Sequence, residues 1–215
     1  MLKRATTPVI LHWLGEAFDP LLAGYFGSHD VAAATATVIR IIEANAGTVS
    51  GIKMSLLDAS SELAVRSRLP ETAAMYTGDD FNYVGLIEGT GLEPGSYSNA
   101  LLGAFAALAP SASAAIQALD GNDPAAYRGI LGPTEELSRQ IFAAPTFYYK
   151  TGIAFLSWLN GHQDSFTMVG GLHSARSLPH LSEIVRLANG CGALERPELA
   201  AARWNGMLAQ NGIVA

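Results

Sequence analysis

Apolar positions alternate between two rhythms over residues 1–108. Pro8-Val9-Ile10-Leu11-His12-Trp13-Leu14 is a short, nearly unbroken apolar run, the pattern of a parallel strand buried on both faces. Residues 31–46 switch to a helical spacing, rich in alanine and isoleucine, with Asp30 placed to cap the first turn. A second strand follows at 48–55, between the turn-like Ala46-Gly47 and the acidic Asp58. The helical pattern returns at 59–68 and is closed by Pro70. Thr72-Ala73-Ala74-Met75-Tyr76-Thr77 reads as a third strand that runs into Gly78-Asp79-Asp80. A short helix over 81–87 leads to a loop rich in glycine and serine that extends through Gly95. Residues 100–108 carry two signals: their alanines favour helix, and their place in the alternation favours a fourth strand.

Strands that alternate with helices imply parallel pairing, because a parallel neighbour needs a crossover and the helix supplies it. Beyond Pro110 the alternation stops. Helices are expected at about 111–120, 124–143, 148–160, 179–189 and 197–209, with Pro124, Pro133, Pro145, Pro179 and Pro197 marking starts or breaks. The expected organisation is an α/β part over 1–110 and a helical extension over 111–215.

Composition narrows the function classes. Of 215 residues, 49% are hydrophobic and only 15% charged, which excludes a disordered chain. A net charge of −6 with scattered basic residues leaves no electrostatic footprint for nucleic acid or anionic lipid. Cys191 is the single cysteine, so no internal disulfide forms, and its flanking Gly190 and Gly192 suggest a helix-end turn. Neither a secretion signal nor a membrane-length apolar stretch is present. The expectation is a soluble, cytoplasmic protein. His162, His173 and His180 lack ligand spacing, and Gly89-Thr90-Gly91 lacks the context of a nucleotide loop, so neither a metal nor a dinucleotide is expected.

Lys53 is the conspicuous residue. It stands in Val49-Ser50-Gly51-Ile52-Lys53-Met54-Ser55, where a charge has no ordinary place. Ordering an ammonium there costs several kcal/mol unless it is paired or loses its proton. A lysine kept neutral by burial attacks carbonyl carbon and forms Schiff bases. The alternative is a strand-end lysine whose head reaches solvent. Ser55, two positions on, shares its strand face and can hydrogen-bond a ligand.

Pro8-Val9-Ile10-Leu11-His12, Val49-Ser50-Gly51-Ile52-Lys53 and Thr77-Gly78-Asp79-Asp80 together resemble three successive strand ends of the dihydrodipicolinate synthase / N-acetylneuraminate lyase superfamily. Within it the likeness is to an uncharacterised bacterial branch of the dihydrodipicolinate synthase family, and it runs through Tyr148-Tyr149-Lys150-Thr151-Gly152 to the C-terminal helices. The resemblance implies a (β/α)8 barrel, of which this chain would supply strands five to eight and the helical tail, with Met1 opening just before the fifth strand. Eight units usually need about 250 residues. A half barrel has two open strand edges, so a homo-oligomer or a complementary N-terminal half-barrel is expected as partner.

The resemblance also implies an activity. Lys53 would form an imine with a 2-keto acid or keto-sugar derivative, with no metal or organic cofactor. His12 stands where better-known members carry a proton-shuttling tyrosine, and an imidazole titrating near pH 6.5 can act as acid and base. That departure favours a catabolic aldolase or dehydratase over dihydrodipicolinate synthesis. A core histidine bonded to backbone is the alternative for His12. Glu16 would orient His12 or contact a substrate hydroxyl, unless it is a solvated loop carboxylate. Asp79 is the rim candidate for substrate binding, and Asp80 the one for helix capping. The competing functional reading is a non-catalytic ligand-binding or assembly protein that kept the fold, or an inactive fragment of the enzyme.

Overall fold

The computed structural model describes residues 2–91 and 93–213, and Met1, expected just before the fifth strand, lies outside them. The chain forms two compact units that part between Gly103 and Ala104. The first is α/β. Strands β1 (Val9–Leu14), β2 (Val49–Ser55), β3 (Ala74–Thr77) and β4 (Asn99–Ala100) pair in parallel in the order β1-β2-β3-β4. Helices α1 (Val31–Glu43), α2 (Ala59–Arg66) and α3 (Tyr83–Glu88) make the crossovers.

Local chemistry sets these elements. Asp30 accepts hydrogen bonds from Ala32 N at 2.7 Å and Ala33 N at 3.1 Å, satisfying amides that the first turn of α1 leaves open. Ala34, Val38, Ile39 and Ile42 recur at helical spacing and bury one face of α1. They pack on Trp13, Ile52, Met54 and Met75 of the sheet together with Val65 of α2. Full burial of an aliphatic side chain contributes about 1.5–3 kcal/mol, so this layer supplies much of the unit's stability. Asp58 caps α2, accepting from Ser60 N at 3.0 Å, and hydrogen bonds from the Ser61 and Ser60 hydroxyls hold its pKa below the usual value.

The two faces of the sheet differ. Leu11, Trp13, Ile52, Met54 and Met75 face the helices, and successive residues along a strand point to opposite sides. The other face carries Ile10, 43% exposed, and an exposed His12. β1 is therefore not buried on both faces as its apolar run suggests. Two of the crossovers, α1 and α2, pack on the first of these faces.

Residues 100–108 divide between both signals. The fourth strand ends at Ala100, and α4 (Phe105–Asp120) begins soon after, bent at Leu108 ahead of the internal Pro110. The second unit continues with α5 (Pro124–Leu131), α6 (Thr134–Ile141), α7 (Tyr149–Leu159), α8 (Leu178–Gly190) and α9 (Pro197–Gln210). One helix expected over 124–143 is two, because Pro133 cannot donate the amide that continuity requires. Tyr127, Leu131, Leu137, Ile141, Phe155 and Leu156 form its buried interior. Buried Arg176 donates from Nη2 to the carbonyls of Ala143 at 2.5 Å and Pro145 at 3.1 Å, tying down the turn before α7. Among the described residues no helix is long and apolar enough to cross a membrane.

A polar network lies within the first unit. Glu62 of α2 is 1% exposed and accepts from Ser98 Oγ at 2.7 Å. Arg66 Nη1 donates to Ser98 Oγ and to Leu86 O, each at 3.1 Å. The second Glu62 oxygen has no hydrogen bond of good geometry, although the Thr77 hydroxyl is near enough to draw the pKa down. Burial prevails and pushes Glu62 up to about 7. The folded state thus holds a proton that the unfolded chain releases near pH 4.5. Stability from this group is full below that pH and is lost as pH rises through about 7, a difference of up to about 3 kcal/mol. Urea unfolding should show higher stability at pH 5 than at pH 8, and Glu62→Gln should flatten the difference. Equal slopes for both proteins would exclude this assignment.

Candidate active site

The strand register places the candidate residues. His12 pairs with Lys53, Lys53 with Tyr76, and Tyr76 with Asn99, so four side chains stand in one row on the face opposite α1 and α2. Ser55 lies on the same face, one pleat further towards the C-terminal ends of the strands. Loops leaving those ends carry Glu16, Asp58 and the Gly78-Asp79-Asp80 turn.

Lys53 is half-buried, and its amine makes no hydrogen bond or ion pair among the described residues. Burial lowers its pKa from the ordinary lysine value, and the charge of Asp80 opposes that shift. His12 Nε2 lies 3.1 Å from Ser55 Oγ. Burial also lowers the His12 pKa, with a smaller contribution from the Lys53 charge. His12 is exposed along the sheet edge, so this burial is partial. Both groups are thereby biased towards their neutral forms, one a nucleophilic amine and the other an imidazole base.

Two glycines shape the row. A Cβ on Gly78 would lie 2.2 Å from Ser55 Oγ, 2.6 Å from Lys53 Cε and 2.9 Å from Met54 O. Gly78 N also donates to Met54 O at 2.7 Å. Only a residue without a side chain lets the β3 end close on β2 while Lys53 and Ser55 occupy that space. At Gly51 a Cβ would lie 2.8 Å from Tyr76 Cε2, so the Tyr76 ring crosses β2 there and floors the site below Lys53.

Asp79, expected on the substrate rim, is taken up by its own turn. Asp79 Oδ1 accepts from Phe81 N at 2.9 Å and Asn82 N at 3.1 Å, and its Oδ2 accepts from Asn82 Nδ2 at 2.9 Å. Both oxygens are committed to the turn into α3. Asp80, 3% exposed, is the carboxylate whose field reaches Lys53. Glu16 is exposed and lines a cavity of about 310 Å3 with Gly15, Tyr25, His29, Leu56 and Asp58, a cavity that neither Lys53 nor His12 lines. Among the described residues no hydrogen bond or ion pair joins Glu16 to His12.

The structure therefore brings together Lys53, His12 and Ser55, and adds Tyr76, Gly78 and Asp80. In the sequence Tyr76 is only a member of the third strand, and its place beside Lys53 needs the register. Burial pushes the Cys191 thiol up, which disfavours a reactive thiolate at that helix end. Among the described residues no group of three or more His, Cys, Asp or Glu could hold a metal ion.

Competitive acetylation across pH should find Lys53 titrating below an ordinary lysine. Gly78→Ala should move it upward as the side chain is displaced towards solvent, with the far-UV spectrum retained. An unchanged Lys53 titration in Gly78→Ala would remove the packing role assigned to Gly78.

No curated protein matches the chain. A family model does, the one described as "Protein of unknown function (DUF993)", and it matches residues 1–213. Because that match covers the Lys53 sheet and all the helices beyond it, the chain belongs to the DUF993 family.

Proposed function

We propose that this chain is a lyase of the class I aldolase kind, forming a Schiff base through Lys53 on a 2-keto acid or keto-sugar derivative. One observation carries the reading. The Lys53 amine is half-buried and without a hydrogen-bonded partner among the described residues, beside an imidazole also biased towards neutrality. A catalytic amine and its base need this condition, whereas a structural lysine is ordinarily paired or solvated.

In this mechanism Lys53 Nζ attacks the keto carbon and the carbonyl π pair moves to oxygen. His12 takes a proton from the new C–N centre and returns one as the hydroxyl leaves as water. The protonated imine then accepts the electron pair of a neighbouring bond, which leads to C–C cleavage or loss of a hydroxyl. Imidazole chemistry at His12 suits a catabolic aldolase or dehydratase better than dihydrodipicolinate synthesis. Ser55 remains within the site as a contact. Asp79 is committed to its turn and Glu16 to a separate cavity, so neither is assigned to substrate.

The finer fold reading is that the first unit is strands five to eight of a (β/α)8 barrel and the second its C-terminal extension. A parallel sheet in consecutive strand order supports it, because a barrel adds its strands in sequence whereas a doubly wound sheet reverses direction at a switch point. The barrel interior would then be the Lys53 face. Ile10 and Leu101, each 43% exposed, favour cover from a second copy or a complementary half-barrel. They also keep open an assembly role without catalysis.

Borohydride trapping with pyruvate and a panel of 2-keto acids tests the proposal. The expected result is a mass increment on the Lys53 peptide that is absent from Lys53→Ala. A folded wild-type assembly that gives no adduct across the panel would favour the non-catalytic reading.

A further inference from the structure

The His12 imidazole reaches Ser55 and not Lys53. Its Nε2 lies 3.1 Å from Ser55 Oγ, and among the described residues no hydrogen bond joins it to the amine beside it in register. Ser55 also lies near the Lys53 side chain. Its Oγ and the Lys53 Cε both lie against the one point that a Gly78 side chain would fill, at 2.2 Å and 2.6 Å. Ser55 is 3% exposed, so bulk water does not compete for its hydroxyl. A serine hydroxyl is donor and acceptor at once and can pass one proton on while receiving another.

We propose that the Ser55 hydroxyl relays protons between the His12 imidazole and the carbinolamine formed on Lys53, with Gly78 holding the two side chains in register; the inference rests on the Schiff-base reading. On attack, the C–N bond forms and the carbonyl pair moves to oxygen. The surplus nitrogen proton passes to Ser55 Oγ while the Ser55 proton moves to His12 Nε2. The alkoxide takes one proton from solvent, matching the proton Lys53 released on becoming neutral. On dehydration the relay runs back: His12 protonates Ser55, Ser55 protonates the departing hydroxyl, and water leaves as the nitrogen lone pair closes the C=N bond. The titratable groups facing this pair are Lys53 beside His12, Tyr76 on β3, and Asp80 acting on Lys53. A lowered His12 pKa leaves the imidazole free to accept the first proton near neutrality.

The test measures the rate of cyanoborohydride-trapped imine formation with pyruvate in the full chain. Ser55→Ala and His12→Gln should each slow it on the order of 10²-fold, the lower range for general acid–base catalysis. The double variant should be no slower than the slower single one, because both changes break one relay. Ser55→Thr, which keeps the hydroxyl, should restore most of the rate. His12 is exposed, so its variant reads the relay even if Ser55→Ala loses the fold. A wild-type rate in Ser55→Ala, or single losses that multiply in the double variant, overturns the relay and leaves the imine standing. An absent wild-type adduct overturns the Schiff-base reading, and the relay with it.

Discussion

The pleat of a strand sends alternate side chains to opposite faces, so committing one set to the covering helices fixes where the other set stands. In this chain that constraint organises the first unit. Trp13, Ile52, Met54 and Met75 are committed to α1 and α2, which puts His12, Lys53, Tyr76 and Asn99 together on the opposite side. A shift of one residue in the β1–β2 pairing would turn β1 over, carrying His12 into the core and Trp13 out beside Lys53. Packing of apolar side chains therefore sets the position of the polar ones.

On the polar side the strand ends approach closely. Gly78 brings the end of β3 against Met54 O, and Lys53 and Ser55 share the space its missing side chain leaves. Asp80 acts on Lys53 without forming a salt bridge with it among the described residues, so the amine stays responsive to burial. A tight carboxylate partner would have favoured the ammonium and weakened the nucleophile. The buried Glu62–Ser98–Arg66 network ties α2 to the segments before and after the loop that precedes β4. The sheet beneath the Lys53 row thus rests on a core that titrates as well as one that excludes water.

Much of this was readable from local signals. The alternation of strand and helix, the Asp30 and Asp58 caps and the prolines at the starts of α5, α8 and α9 act through neighbouring residues, which is why a linear reading reaches them. Lys53 stood out because a charge inside an apolar run conflicts with its surroundings. The misreadings have non-local causes. β1 looked doubly buried because its apolar run cannot show which face the helices will choose. Asp79 and Asp80 are adjacent and chemically alike, and only the path of the turn commits Asp79 to backbone amides.

Periodicity, caps and breakers are encoded within a few residues, so the order of elements, the parallel α/β class and the anomalous lysine were already present in the chain as text. Distances between residues far apart in that text were not. The meeting of His12 with Ser55 across 43 positions, the crowding of Lys53 against Gly78 and the isolation of Glu16 in another cavity follow from strand register and backbone approach. Those arise from packing the whole unit at once, because no local preference of any one residue specifies its partner across the sheet.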